Sequence, residues 1–335
     1  METSYHSMKI AVFGNFGVHN LGDDLILMGL QEDLKELQPE LTVFCGAPEK
    51  VEEQSGLTAR HFFPGGLRSW ILWLMFPSIR EEVRESRQIL SQMDRVIIGG
   101  GGILVDRHPK AILLWWAQLR EIQRSGTPYH LVANSIELKY DWSKKLLLPY
   151  LKGAEKITVR DRASKELLKD LGISASIVED LAMKAPLPPV QRTDRAQVAL
   201  AFCRWSWTDQ ALQDMRLFLA VLKAHEIEVV ALAFQTDTDD DRTFYQLLDP
   251  SLRVVSELEE VVQELSSSQL LLGMRLHSII LAERLQKPFI AIPYQEKVRA
   301  YVTDLGLEHR LLEMADLKLK RLQALFEKIV EGEGE

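Results

Sequence analysis

At 335 residues the chain can bury two cores of ordinary domain size, and its 46% hydrophobic and 26% charged content is that of a folded globular protein, which excludes an extended disordered chain. Lys and Arg number 40 against 48 Asp and Glu, a formal charge of -8, so nucleic acid is not an expected partner: a phosphate backbone needs a basic face. Small anions would have to be met by local cations.

Only two cysteines occur, Cys45 and Cys203, far apart in apolar surroundings, giving neither a disulfide framework nor metal-ligand spacing and pointing to the cytoplasm. Residues Met1 to Ser7 carry no basic region ahead of a long apolar run, so no signal peptide is expected. Two apolar stretches, Trp70 to Phe76 (stopped by Pro77) and Ala111 to Ala117, fall short of the ~20 residues that span a bilayer. Core packing or a contact between protomers is the expected role of each. Their paired tryptophans, with Arg68, Arg80 and Arg84 nearby, also suit a peripheral contact with the inner face of a membrane.

Along the chain, apolar strand-like runs alternate with amphipathic helical stretches. The pattern predicts strands over Lys9 to Phe13, Leu41 to Cys45, Arg95 to Ile98, Tyr129 to Ala133 and Lys156 to Val159, with helices from about Asp24 to Leu37 and from Lys110 to Ser125. Three prolines, Pro186, Pro188 and Pro189, then break the alternation, and a polar run to Arg195 continues the break. Alternation restarts with strands over Val198 to Phe202, Val229 to Phe234, Leu252 to Val255, Leu270 to Leu272 and Phe289 to Ile292, and a helix from Asp209 to His225. The expected organisation is an α/β protein: a Rossmann-like domain over residues 1–185, a linker over 186–195 and a second Rossmann-like domain over 196–335, facing a cleft.

The segment Gly273-Met274-Arg275-Leu276-His277 stands between a short apolar strand and an apolar helix, at the strand end where α/β sheets bind ligands. A helix start favours negative charge, Arg offers a planar fork matched to carboxylate or phosphate, and His exchanges a proton near neutral pH. The other reading is a salt-bridged Arg275 and a core His277. Gly14-Asn15-Phe16-Gly17 lacks the third glycine of a dinucleotide fingerprint and the Gly-Lys-Ser/Thr of a P-loop, so neither NAD nor ATP is indicated. Gly99 to Gly102, including Gly100 and Gly101, form a glycine loop that either packs backbone tightly or touches substrate. Asn20, Gly22 and Asp23 either cap the helix that follows or, in the case of Asp23, hydrogen-bond a sugar hydroxyl. His19, His108, His130 and His309 are each alone in sequence, although His19 lies in the first loop.

Gly-Met-Arg-Leu-His followed by Pro293-Tyr294-Gln295-Glu296-Lys297-Val298 resembles the polysaccharide pyruvyltransferase family. So do Gly14 to Gly17 with Asn20-Leu21-Gly22-Asp23, the glycine run leading to Asp106, Val159-Arg160-Asp161-Arg162-Ala163-Ser164, Leu171-Gly172-Ile173 and Glu179-Asp180, all in family order over roughly residues 8 to 307. The resemblance implies a glycosyltransferase-B-like fold, with a closing helix from about Leu317 to Val330 that packs back across the domain boundary. It implies transfer of the pyruvyl group of phosphoenolpyruvate onto two hydroxyls of a saccharide acceptor, a cell-wall or lipid-linked glycan, forming a cyclic ketal and releasing phosphate, with no metal or cofactor needed. By motif position, His277 is the expected acid or a ligand of the donor. Arg275 and Arg160 would hold carboxylate and phosphate, and Lys297 would neutralise the leaving phosphate. Tyr294, Gly273, Gly100, Gly101, Asn20 and Asp23 complete the expected binding set, and Asp23 and Asp106 are the candidates for the base. The first domain is the expected acceptor side and the second the expected phosphoenolpyruvate side, and two departures fall in the first domain. Ala133 to Leu138 replaces the usual Gly-Ile-Gly-Pro-Leu run, and Asp180-Leu181 replaces Asp-Pro. A homo-oligomer is also expected, and two rival functions stand beside this one: a nucleotide-sugar glycosyltransferase, and a non-catalytic subunit of a glycan synthesis complex.

Overall fold

A computed structural model describes residues 7–61, 77–107, 109–191, 193, 195–205, 207–237 and 240–330, with the side chains of residues 77–80 not described. Trp70 to Phe76, Arg68, the Arg80 side chain and His108 lie outside the described residues. The chain divides into two compact units. One holds the residues up to Val18 together with Asp23–Ala185, and the other holds His19–Gly22 together with the chain from Pro186 onward.

In the first unit the strands are β1 (Lys9–Phe13), β2 (Glu40–Cys45), β3 (Thr58–His61), β4 (Arg95–Val105), β5 (Tyr129–Glu137), β6 (Lys156–Val159) and β7 (Ser176–Ile177). They form one parallel sheet in the order β3-β2-β1-β4-β5-β6-β7. Its helices are α1 (Leu21–Leu34), α2 (Pro48–Ser55), α3 (Pro77–Leu90), α4 (Pro109–Ser125), α5 (Asp141–Gly153) and α6 (Arg162–Asp170). The strands are apolar on both faces, as a sheet covered by helices requires: Val12, Ile98, Leu131 and Val159 are fully buried. Phe13 stacks on Phe44 with centroids 4.6 Å apart. In the stretch Ala111 to Ala117, Trp115 belongs to this core with Ile112, Leu119 and Ile122, while Arg120 lies over the Trp116 ring at 5.6 Å. Among the described residues, no helix is long and apolar enough to cross a bilayer.

The second unit repeats the plan with β8 (Gln197–Ala201), β9 (Glu228–Leu232), β10 (Arg253–Val255), β11 (Leu270–Gly273) and β12 (Phe289–Ala291), parallel in the order β10-β9-β8-β11-β12. Its helices are α7 (Asp209–Ala224), α8 (Asp241–Leu248), α9 (Leu258–Ser267), α10 (Leu276–Arg284), α11 (Glu296–Asp304) and α12 (Leu319–Val330). Strand order reverses once in each sheet, between β1 and β4 and between β8 and β11. The carboxyl ends of those strands are where such folds hold ligands.

Three expectations change. The first helix begins at Leu21 rather than Asp24, so Asp23 sits inside its first turn and Asn20 is the capping residue, its Oδ1 accepting from Gly22 N at 2.9 Å. The glycine run is not a loop: Gly99 to Val105 continue β4, with Gly101 opposite Asn134 and an irregular register up to Leu104. Gly100 and Gly101 are buried with φ of +68° and +78°, and a Cβ on Gly100 would stand 2.0 Å from Ile26 Cγ2, so bare backbone packs on α1. Close packing is the role these contacts give Gly100. The closing helix α12 lies with the second unit, where Leu322 and Leu325 enter the core and Phe326 meets Phe218 edge-on at 6.0 Å. The apolar face of this helix is covered by α7.

Candidate anion-binding active site

The segment from β11 into α10 is built as its composition dictates. Leu270, Leu271 and Leu272 are fully buried in the sheet, and Gly273 ends the strand where a Cβ would meet Ser278 Oγ at 3.0 Å and Ile279 Cγ1 at 3.2 Å, so a larger residue would press on the first turn of α10. Arg275 is the residue before the helix, in extended conformation, with its carbonyl accepting from Ser278 N at 3.0 Å and Ser278 Oγ at 2.6 Å. Met274 N donates to Ala201 O at 2.8 Å, which ties this turn to the end of β8 at the switch point.

The Arg275 side chain is 18% exposed, and its Nη2 donates to Asp241 Oδ1 at 2.5 Å, where Asp241 is fully buried. Asp241 Oδ2 accepts from Phe234 N at 3.1 Å and Gln235 N at 3.0 Å, just beyond β9. Burial pushes the Asp241 carboxyl up, and Arg275 with these two N–H groups pulls it back. Burial also works against the Arg275 charge, but the Asp241 carboxylate more than offsets it, so the guanidinium holds its proton more firmly than usual. Arg275 also bonds the Tyr294 hydroxyl, which burial, opposed by Arg275, pushes up to about 12. One donor is left over: Arg275 Nε is buried with no hydrogen-bond partner among the described residues. A buried guanidinium donor left over in this way is a reason to look for a bound acceptor.

The same unit holds the start of α1. Asn20 forms an antiparallel bridge with Gln235, Leu21 N donates to Phe234 O at 2.9 Å, and Thr236 N donates to His19 O at 3.0 Å. Asp241 therefore holds Phe234 and Gln235, and the His19-to-Leu21 segment holds the same two together with Thr236. His277, half-buried in the first turn of α10, lies against this segment: a Cβ on Gly22 would stand 1.9 Å from its Nδ1. Lys297 is half-buried at the second position of α11. Asn20, Gly273, Arg275, His277, Tyr294 and Lys297 thus all belong to the second unit, at the carboxyl ends of its strands.

Arg160, Asp23, Gly100 and Gly101 belong to the first unit. Arg160 follows β6, but its guanidinium is 5% exposed and is engaged within the fold: Nη1 pairs with Asp180, and Nε donates to Ser135 Oγ at 2.8 Å. Asp180 in turn accepts from Ala182 N at 2.9 Å, and Asp161 caps α6 by accepting from Ser164 N at 2.7 Å. That geometry gives Arg160 a bracing role and leaves little of its fork to face a ligand. Asp106 is fully buried, with Oδ2 accepting from Tyr140 N at 2.8 Å and Ser143 Oγ at 2.6 Å at the start of α5, which suits an anchor better than a base. Asp23 Oδ1 would lie 3.7 Å from a Cβ on Gly101.

Three residues were missed by the sequence reading. Asp241 sits in the acidic run Asp237 to Asp241 with nothing to distinguish it. Asp24, beside the foreseen Asp23, accepts from Gly17 N at the β1 end, and burial pushes its carboxyl up to about 6. Trp205, just past β8, stands edge-on to Tyr294 with centroids 6.1 Å apart.

With this geometry described, the comparisons are informative. The profile of the family described as polysaccharide pyruvyl transferase matches residues 20–296, from the capping asparagine to the start of α11. The chain belongs to the polysaccharide pyruvyl transferase family. No curated protein matches the sequence. Among solved structures, the chain is similar to UDP-GlcNAc 2-epimerase from Methanocaldococcus jannaschii, with a TM-score of 0.64 and 10% identity over 98% of this chain and 94% of that one. It is also similar to a putative UDP-N-acetylglucosamine 2-epimerase from Listeria monocytogenes, with a TM-score of 0.62 and 12% identity over 96% and 88% of the two chains. A glycosyltransferase from Rickettsia africae ESF-5 matches with a TM-score of 0.56 and 12% identity over 98% of this chain and 100% of that one. At such identities the likeness concerns the fold, and it is the glycosyltransferase-B-like fold of two Rossmann-like units expected from the sequence.

Two outcomes follow from these contacts. Gly22→Ala places a methyl where the His277 ring lies, so kcat/KM for the family reaction should fall at least ~10-fold while the thermal midpoint moves little; an unchanged kcat/KM would contradict the contact. For Asp24, the folded pKa lies above the unfolded one, so folding binds its proton more tightly. Stability from this group is gained as pH falls from about 6 toward 4 and is forfeited above that window, with ~3 kcal/mol as the ceiling for the shift. Asp24→Asn should therefore raise the thermal midpoint at pH 8, by the equivalent of ~1–3 kcal/mol, and lose that advantage by pH 4. Equal midpoints at pH 8, followed by circular dichroism, would show that the carboxyl is not held high.

Proposed function

We propose that the protein transfers the pyruvyl group of phosphoenolpyruvate onto two hydroxyls of a saccharide acceptor, with the second unit holding the donor. The observation that carries this is the pairing, at one switch point, of a buried guanidinium that has an unsatisfied Nε–H with an imidazole in the first turn of the adjoining helix. Membership of the family supports it. Phosphoenolpyruvate is a small anion with a carboxylate and a phosphate on one carbon. Arg275 suits either group by charge-assisted hydrogen bonds, the start of α10 adds a favourable field, and Lys297 suits a phosphate as a point charge.

Bond changes assign the work. The methylene carbon gains a proton, for which His277 is the acid, and C2 becomes electrophilic as its π electrons form the new C–H bond. An acceptor hydroxyl oxygen bonds to C2 and releases its proton. The C2–O bond to phosphate then breaks, with its electron pair leaving on phosphate, and cations nearby stabilise that departing charge. A second hydroxyl bonds to C2, releases its proton and closes the ketal. Two protons released against one consumed leave one for the phosphate. Asp241 contributes indirectly by holding the Arg275 fork in place. The acceptor is a sugar of a cell-surface polysaccharide or its precursor, and the work is done in the cytoplasm.

Calorimetric titration tests the donor site. Phosphoenolpyruvate should bind saturably, Arg275→Ala should weaken it ~10- to 100-fold, and Asp241→Asn should weaken it less, since the Arg275 charge remains but loses its anchor. His277→Ala should lower the rate at least ~100-fold. Tight binding of uridine diphosphate with none of phosphoenolpyruvate would overturn the reading in favour of a nucleotide-sugar glycosyltransferase.

A further inference from the structure

Trp205 is 44% exposed, whereas the aromatic residues around it are engaged in packing. It lies past the end of β8, at the switch point, in a turn whose backbone is held. Trp205 N donates to Cys203 O at 2.8 Å, and that same carbonyl accepts from Trp207 Nε1 at 2.9 Å. Trp207 is fixed in turn between Phe202, edge-on at 5.3 Å, and Phe244, stacked at 5.1 Å. An indole is thus presented to solvent beside a packed aromatic cluster. Its neighbour is Tyr294, at 6.1 Å and 66°, whose hydroxyl bonds Arg275. Two other large apolar side chains exposed in this unit, Leu217 and Leu247, lie along α7 and α8; Trp205 stands at the ligand end of the sheet.

We propose that Trp205 is the stacking face for the acceptor, against which one pyranose ring lies so that its hydroxyls reach the carbon held beside Arg275. The π face of an indole is electron-rich and apolar, and the ring C–H groups of a neutral pyranose are its natural complement. Tyr294 links the two, since its ring meets the indole edge-on and its hydroxyl bonds Arg275. This inference rests on the donor assignment made above for Arg275, and it adds the determinant of acceptor recognition. A nucleobase would also stack on an indole, and the test separates the two.

The experiment uses the full chain as wild type, Trp205→Ala and Trp205→Phe. Affinities for the methyl pyranosides of glucose, galactose and N-acetylmannosamine, and for uridine, are read by ligand-observed NMR; that for phosphoenolpyruvate is read by calorimetry on the same samples. At least one pyranoside should bind the wild type, weaken at least tenfold in Trp205→Ala and recover most of that loss in Trp205→Phe, while phosphoenolpyruvate affinity stays within twofold. Equal pyranoside affinity in all three proteins, no pyranoside binding to the wild type, or uridine as the ligand that depends on Trp205 would each overturn the proposal. Pyranoside binding that depends on Trp205 in a protein that does not bind phosphoenolpyruvate would uphold the stacking face and overturn the donor reading.

Discussion

Much of the candidate site depends on one buried ion pair, Asp241 with Arg275. A guanidinium that is only 18% exposed is costly to bury at the end of a sheet without a partner, and so is an isolated buried carboxylate. Each supplies what the other lacks, and breaking such a pair from one side costs about 3–5 kcal/mol because the remaining charge is stranded. The pair is not saturated, however. Asp241 is fully used by Arg275 and two backbone N–H groups, while Arg275 keeps an Nε–H with no partner among the described residues. The carboxylate therefore fixes the fork and leaves one of its donors to spend elsewhere.

This pair also organises what surrounds it. The carboxylate holds the backbone of Phe234 and Gln235, and those residues with Thr236 hold His19, Asn20 and Leu21 by bridge and backbone bonds. The glycine that ends that segment is the one against which His277 lies. Tyr245, from the same helix as Asp241, accepts from Phe202 N at 2.7 Å and is within reach of the Leu200 and Leu232 carbonyls, which joins the ends of β8 and β9. One short helix thus supplies both the anchor of the cation and the tie between strand ends. The first unit contains a second buried pair, Arg160 with Asp180, put to the opposite use. At 5% and 3% exposure both partners are closed in, and the caps on Asp161 and Asp180 make it a brace for the turns beyond β6. Arg160 is sealed by its partners, whereas Arg275 keeps a buried Nε–H with no partner among the described residues.

The β11-to-α10 turn was legible in the sequence because its constraints are local: three leucines, a glycine where the helix must close on the strand, and an apolar helix behind. The alternation of strands and helices was legible for the same reason, since each element buries its own faces. Asp241 was not, because its role comes from burial 34 residues away in sequence from the arginine it serves, and an acidic run looks solvated. Nor was the membership of His19–Gly22 in the second unit, which rests on backbone bonds between distant segments that no side-chain pattern announces. Gly99 to Gly102 misled in the other direction. Glycine runs usually mark loops, and here the missing Cβ atoms let a strand lie directly on Ile26. Arg160 followed its motif in sequence, while its burial was decided by Asp180 and Ser135.

The measurement that tests the central claim most directly uses phosphoenolpyruvate carrying heavy oxygen in the bridge between C2 and phosphorus, incubated with the protein and a saccharide acceptor in deuterated water. Pyruvyl transfer breaks the C2–O bond. The released phosphate should carry the heavy oxygen, by mass spectrometry, and the ketal methyl should carry one solvent deuterium. Unlabelled phosphate with the heavy oxygen left on pyruvate would mean that the P–O bond breaks instead, and would contradict the account.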